Sequence, residues 1–317
     1  MKAALRVGLI GAGTMGALHA RVIATSPQTQ LAWVHDRNPA TGRTIAERHS
    51  SRFTHELDLS CVDAVVVAAP TQFHHELGLE VMANRTPMLM EKPLADTVVE
   101  VDALLAEAER EDTPIMCGLL ERFNPAVRTA FELSRSPVHF RSARHSPMTE
   151  RIQTGVGGDL LIHDLDLAIR LFEEMPTVAI GLTDRTGETD GEVEDVVEAL
   201  LRFGTYGVAA LSASRRSQRK IRSMMIAEAD RMIEVDLLRQ DVTIYRHVLE
   251  SPTDDDLGYR QQTIIDVPVL RYHGEPLMMQ LDHFVNLVEG TADHRAERES
   301  IRPPHEVLHS LSVPTTP

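Results

Sequence analysis

The stretch Arg6-Val7-Gly8-Leu9-Ile10-Gly11-Ala12-Gly13-Thr14-Met15-Gly16 decides the fold. Arg6–Ile10 is a short apolar run that predicts a strand, and Met15–Ala24 has the spacing of a helix. Between them the pattern G-x-G-x-x-G stands where a dinucleotide-binding turn needs it. Gly11 permits the tight turn, Gly13 lets a pyrophosphate approach the backbone, and Gly16 lets helix pack on strand. The unpaired N–H groups of Ala12, Thr14 and Met15 around the helix start are then available to phosphate oxygens. Asp36 ends a second strand, Leu31–His35, and stands 20 residues beyond Gly16, where a carboxylate accepts hydrogen bonds from the adenosine ribose. Asp36 repels a 2′-phosphate, which favours NAD over NADP, although the adjacent Arg37 offers a phosphate contact.

Outward from the loop, strand-like and helix-like segments alternate. Pro39–His49, Phe73–Asn84 and Val98–Glu111 predict helices, while Asp63–Ala69, Pro87–Met90 and Pro114–Leu119 predict strands. Such alternation demands crossover connections and a parallel sheet. After residue 120 the pattern changes. Gly158–Glu173 predicts a helix, followed by period-2 stretches at Val196–Phe203, Val208–Ser214, Ile221–Leu237, Val242–His247 and Thr263–Val269. Gly204-Thr205-Tyr206-Gly207 predicts a hairpin turn, and Pro276–Gly290 a late helix. The acidic stretch Asp184–Asp195 predicts a solvated loop, and the Pro-Thr-Thr-Pro end a frayed one. The expectation is an α/β protein: a Rossmann domain over residues 1–120, and an α+β domain with a large, mostly antiparallel open sheet over 121–317.

Composition narrows the function. The 317 residues carry a net charge of −15, which argues against wrapping a polyanion. Two distant cysteines, Cys61 and Cys117, form neither a metal spacing nor a disulfide framework. No apolar run is long enough to span a bilayer, and Lys2 with the run after it lacks a cleavage site. A soluble cytoplasmic protein is expected, with no membrane or nucleic-acid partner.

Only three of the 32 Lys and Arg residues are lysine: Lys2, Lys92 and Lys220. Lys92, in Glu91-Lys92-Pro93, falls at the carboxyl end of a parallel strand, the edge where open α/β sheets bind ligands. Arginine does not deprotonate in proteins, whereas a lysine can exchange a proton with a substrate oxygen. Asp159, His163 and Asp166 recur on one face of an otherwise apolar helix, and a carboxylate one turn before an imidazole can fix its tautomer. The alternative is a helix with one wet side in which Asp166 pairs with Arg170. No third ligand accompanies Asp159 and His163, so no metal is expected. Arg215, Arg216, Arg219, Lys220 and Arg222 form a basic cluster, read as an interface or solvated strand end ahead of a diphosphate patch.

Taken in order, Gly11–Gly16, Glu91-Lys92-Pro93 and the D-x-x-x-H of Asp159–His163 resemble the Gfo/Idh/MocA oxidoreductase family. The resemblance implies that Lys92 and His163 are the catalytic pair, that Asp159 is polar support, and that the Lys92–Pro93 bond is cis. It also places Ala69, Pro70, Thr71 and His74 beside the nicotinamide ribose, with Glu91 and Lys92 at the cofactor. Glu121-Arg122-Phe123-Asn124-Pro125 looks like a segment of members that oxidise the 3-hydroxyl of nucleotide-linked amino sugars, which implies Arg122 and Asn124 as substrate contacts beside Lys92, Asp159 and His163. Its plainer reading is an interdomain link in which Arg122 pairs with an acid. Ile162 and Leu161 fill a place where many members have glycine, and the chain ends soon after Val307–Leu311. The expectation is an NAD-dependent dehydrogenase of a sugar or nucleotide-sugar, a homodimer or homotetramer through its C-terminal sheet. The alternatives are a dehydrogenase of a free sugar, inositol or other cyclic alcohol, and a non-catalytic NAD-binding regulator.

Overall fold

The computed structural model describes residues 3–148, 154–184, 194–250 and 260–312. The acidic stretch falls largely at 185–193 and the Pro-Thr-Thr-Pro end at 314–317, both outside the described residues. The chain divides into two compact units, Met1–Leu120 with Glu275–His309, and Glu121–Gly274 with Ser310–Pro317.

The first unit is built on a six-stranded sheet of β1 (Leu5–Ile10), β2 (Thr29–His35), β3 (Arg52–Thr54), β4 (Ala64–Val67), β5 (Met88–Met90) and β6 (Ile115–Cys117), ordered β3-β2-β1-β4-β5-β6. Every pairing is parallel. Ala64, Val65, Val66 and Val67 are all fully buried, as a strand covered on both faces requires. The crossovers are α1 (Thr14–Thr25), α2 (Pro39–Arg48), α3 (His74–Ala83) and α4 (Val98–Arg110), the last opened by a capping box of Thr97 and Glu100.

A single second domain over 121–317 is not what the chain forms. Of its later helices, α7 (Pro276–Val288), α8 (His294–Glu299) and most of α9 (Arg302–Ser312) belong to the first unit. The reason is burial and pairing: α7 hides Leu277, Leu281, Phe284 and Val285, Arg21 of α1 donates to Glu275 at 2.9 Å, and Gln28 donates to Asp282 at 3.1 Å.

The second unit carries an eight-stranded sheet. Its strands are β7 (His139–His145), β8 (Val178–Asp184), β9 (Val196–Phe203), β10 (Gly207–Ser214), β11 (Ile221–Ala227), β12 (Met232–Asp236), β13 (Asp241–Glu250) and β14 (Arg260–Asp266). The order is β14-β13-β12-β11-β7-β10-β9-β8, antiparallel except where β10 meets β7. The β9–β10 turn follows the expected hairpin, with Phe203 opposite Gly207 and Gly204 at φ +45°. One face packs on α5 (Pro125–Leu133) and α6 (Ile162–Phe172); Phe172 stacks on Phe203 with ring centroids 4.5 Å apart. Alternate residues Val197, Ala199, Leu201 and Phe203 of β9 are buried on that face, as period 2 dictates.

Candidate active site

The glycine loop has the geometry its sequence anticipates. Gly11 sits at φ +96°, and a Cβ there would lie 2.5 Å from the Ala68 carbonyl oxygen. At Gly16 a Cβ would fall 2.0 Å from the Gly11 carbonyl oxygen, so the third glycine is required by helix–strand approach. Gly13 differs: a Cβ would meet nothing within 4 Å. That open space beside the first amides of α1 is what a pyrophosphate would occupy, so the loop fits a dinucleotide. Asp36 braces the loop, accepting from the Ala12 N–H at 2.6 Å and the Asn38 N–H at 2.7 Å. Two amides leave an ionised carboxylate with acceptor capacity for ribose hydroxyls. The Arg37 guanidinium lies 4.6 Å from the Phe73 ring centroid, a cation–π contact that keeps it at the end of β2.

The lysine loop follows β5. The Lys92–Pro93 bond is cis. Glu91 is buried against His19, whose Nε2 lies 2.7 Å from its Oε1, and it also accepts from the Lys92 N–H at 3.3 Å. Burial pushes the Glu91 carboxyl up, but His19 and the nearby Lys92 outweigh it and hold the group below the usual carboxylate range. The Leu94 N–H donates to His305 Nε2 at 2.9 Å, so the ring's proton is on Nδ1, which donates to the Ile301 carbonyl at 2.7 Å. His74 is 1% exposed and directs its two nitrogens at the carbonyls of Ala69 and Pro93. The side chains of Glu91 and His74, expected at the cofactor, therefore hold backbone segments in place. Ala69 ends at a short 3₁₀ turn, Thr71–Phe73, for which Pro70 is the cap.

In the second unit the histidine helix departs from its expected phase. Gly157–Leu161 is a π-helical turn before α6 begins at Ile162. Asp166 is drawn into the interior by Arg122, so Asp159, His163 and Asp166 do not form one wet stripe. Asp159 and His163 are half-buried, whereas Asp166 is buried. The π turn is fixed at its start by Glu194, which accepts from the Gly157 N–H at 2.9 Å.

Each acid of this segment meets an arginine from elsewhere. Arg215, 1% exposed, donates to Asp159 at 3.0 Å. Arg144 of β7 embraces Asp164 with Nη2 at 2.7 Å and reaches Glu121 at 2.7 Å through Nη1. Burial works against the Arg144 charge, but Asp164 and Glu121 hold it well above its ordinary value. Arg122 forms a bidentate pair with Asp166, at 2.8 Å and 2.6 Å. Asn124 caps α5 by accepting from the Ala126 N–H and donates to Glu121 and the Leu237 carbonyl. Arg122 and Asn124 are 8% and 3% exposed, so the expectation that they are substrate contacts is corrected: both side chains are committed to the interior.

The basic cluster is not one patch either. Arg215 is buried on Asp159, Arg216 donates to the buried Asp195 at 2.7 Å, and Arg219 and Lys220 are exposed. Arg222 is half-buried on the carbonyls of His145 and Ile221, and burial with the neighbouring Arg144 pushes it down to about 10. His19 and Arg144 escape a reading of the sequence, and Arg215 is read there only as one of a basic cluster, because their partners lie far along the chain. The one available signal was an imidazole on the buried face of α1. Among the described residues no group of three or more His, Cys, Asp or Glu is placed to hold a metal ion, and no helix is long and apolar enough to cross a membrane.

A parallel sheet with a glycine-loop cradle and a braced carboxylate, joined to an open antiparallel sheet bearing an acid–imidazole turn, defines an NAD-binding oxidoreductase. The chain belongs to the Gfo/Idh/MocA family: residues 5–119 match its oxidoreductase domain with NAD-binding Rossmann fold, and 126–234 its C-terminal domain. It is 31% identical to a UDP-N-acetylglucosamine 3-dehydrogenase of Acidithiobacillus ferrooxidans, over 76% of this chain and 77% of that one. A solved structure of the dehydrogenase of that name from the same organism superposes with a TM-score of 0.84 at 26% identity, covering 98% and 97% of the two chains. An inositol 2-dehydrogenase of Acidothermus cellulolyticus is 30% identical over 66% of each chain.

Proposed function

We propose that the chain is an NAD-dependent dehydrogenase of a secondary hydroxyl on a sugar, with the 3-hydroxyl of a nucleotide-linked amino sugar as its substrate. The observation that carries the substrate class is the likeness to UDP-N-acetylglucosamine 3-dehydrogenase, in sequence and along nearly the whole fold. The Glu121–Pro125 segment no longer supports it, since Arg122 and Asn124 serve the interior. A cyclic polyol such as an inositol is the second reading, favoured by the 30% identity to an inositol 2-dehydrogenase.

Gly11, Ala12, Gly13, Thr14, Met15, Gly16, Asp36 and Arg37 would hold the adenosine and pyrophosphate, with Ala69–Thr71 toward the nicotinamide. Asp36 selects NAD, because a 2′-phosphate would bring a second negative group against it. Bound NAD supplies the acceptor for the hydride that leaves the carbinol carbon. His163 takes the hydroxyl proton as base, or returns it in the reverse direction, and the Lys92 ammonium polarises the same oxygen. Asp159 supports the imidazolium form of His163, and Arg215, always charged, holds that carboxylate in place. A cytoplasmic location accords with Cys61 and Cys117 being outside any disulfide. The net charge of −15 speaks against a nucleic-acid partner, and the open sheet of the second unit supports a homo-oligomer.

The test is an NADH-absorbance screen of UDP- and dTDP-sugars against free sugars and inositols, with NAD and NADP. Reduction of NAD by an N-acetylated UDP-sugar is expected; reduction by an inositol alone would replace the first reading with the second. With the substrate in hand, Lys92→Ala and His163→Ala should each lower turnover by about 10²-fold or more. Near-normal rates in both would remove the assigned roles.

A further inference from the structure

His74 opens α3, and its buried ring lies between two segments that the proposed function uses: the end of β4 and the lysine loop. Nδ1 is 2.9 Å from the Pro93 carbonyl oxygen and Nε2 is 2.8 Å from the Ala69 carbonyl oxygen. Both partners are acceptors with no proton to give. A neutral imidazole has one N–H and one lone pair, so in this site it satisfies one carbonyl and turns its lone pair on the other. Turning the ring over exchanges each nitrogen for a carbon and leaves both carbonyls without an N–H donor. Only the imidazolium, with two N–H groups, makes both bonds. The ring of His305 differs, since it receives an N–H on one nitrogen and donates from the other, which the neutral form does without conflict.

We propose that His74 is a positioning residue held as the imidazolium, one proton of which decides whether the carbonyls of Ala69 and Pro93 are tied to each other through the ring. This rests on the proposed function only in assigning Ala69–Thr71 and Lys92 to the cofactor edge. Burial is the largest influence on the ring and pushes it below its ordinary value. Against burial stand the two carbonyls and the carboxylates of Glu91 and Asp96. The net direction is downward, and what holds the second proton is geometric: the neutral ring leaves one of the two carbonyls facing a lone pair. The remaining charged groups on the elements around it are Lys92 in the loop, Glu100 at the start of α4, and His75 and Glu76 on α3 itself. His19 pairs with Glu91 at 2.7 Å.

The deciding experiment is a proton–nitrogen correlation spectrum of the ring nitrogens in the full-length, isotopically labelled chain. His74 is assigned through bonds from its own backbone, so no variant is needed. Both nitrogens are expected to carry protons at neutral pH, with and without NAD. One nitrogen in the unprotonated range at neutral pH would overturn the proposal. A second arm measures NAD affinity against pH by titration calorimetry, in wild type and His74→Gln, which keeps a single side-chain amide donor group. Wild-type affinity should weaken about tenfold as pH rises through the ring's own titration, and the variant should be weaker at neutral pH with that step absent. Equal affinities and equal profiles would overturn the positioning role even if the ring is doubly protonated. Neither arm uses a sugar substrate, so a failed substrate screen counts against the proposed function and leaves the His74 proposal standing.

Discussion

Arg122 shows how a side chain expected at a substrate can instead be required by the fold. Its guanidinium and the Asp166 carboxylate are 4% and 3% exposed and meet in a bidentate pair. Removing one partner strands the other charge in the interior, so Arg122→Ala should cost about 3–5 kcal/mol, measured by denaturant unfolding. A loss under about 1 kcal/mol with a substrate-dependent rise in KM would return Arg122 to the substrate. Glu121, next in the chain, adds a pH dependence. Burial pushes its carboxyl up, but Arg144 and Asn124 outweigh that and hold it below its ordinary value of 4.5. A carboxyl lowered by folding stabilises the protein above its unfolded pKa, and that stabilisation is lost as pH falls through the folded value. Glu121→Gln should therefore melt below wild type at neutral pH, and the gap should close as pH drops below about 4.5. A gap that persists at low pH would show that packing, not charge, accounts for the difference.

The element that joins β1 to α1 carries a prediction that separates cofactor from fold. Gly13 has ordinary negative φ as the residue before α1, and a side chain there meets only open space. Gly13→Ala should thus leave the melting temperature within about 1–2 °C of wild type while weakening NAD binding by tenfold or more, since the methyl group takes the pyrophosphate's place. Gly16→Ala, whose Cβ would strike the Gly11 carbonyl, should lower both. Equal NAD affinity in Gly13→Ala and wild type would place the dinucleotide elsewhere. These positions are legible in the sequence because parallel strands buried on both faces, such as Ala64–Val67, are continuous apolar runs, and the glycines fall at fixed offsets from them. The second unit is harder to read. In β7 the inward face carries Ser142 and Arg144, so the apolar alternation is broken where Asp164 and Glu121 supply the partners. The stretch Ile221–Leu237 alternates without a glycine, yet it is two strands, β11 and β12, whose turn is closed by the Glu228 N–H to the Arg231 carbonyl. The π turn at Gly157–Leu161 has no sequence period of its own, and no spacing in the chain reveals that Asp166 is buried on Arg122 while Asp159 meets Arg215.

The broadest feature of the chain as a whole is the uncovered side of the eight-stranded sheet. The face opposite α5 and α6 exposes Ile180 at 55%, Leu182 at 73% and Leu200 at 56%, with Ile180 and Leu200 directly paired across β8 and β9. Farther across the same sheet Ile265 of β14 is 60% exposed. Single exposed apolar residues need no explanation, but adjacent ones on neighbouring strands form a patch of the kind that marks association. The flanking polar groups are mutually satisfied: His145 meets Ser212 at 2.7 Å, and Ser212 donates to Glu198 at 2.5 Å. Such a surface is one that a second copy of the same sheet would cover symmetrically. Light scattering during size-exclusion chromatography should give wild type a mass of two or four chains. The double variant Ile180→Lys with Leu200→Lys should run as the monomer, because like charges on paired positions would have to be buried together. NAD binding at β1 and α1 should survive in that monomer. A monomeric wild type, or a double variant of unchanged mass, would show that the partner surface lies elsewhere.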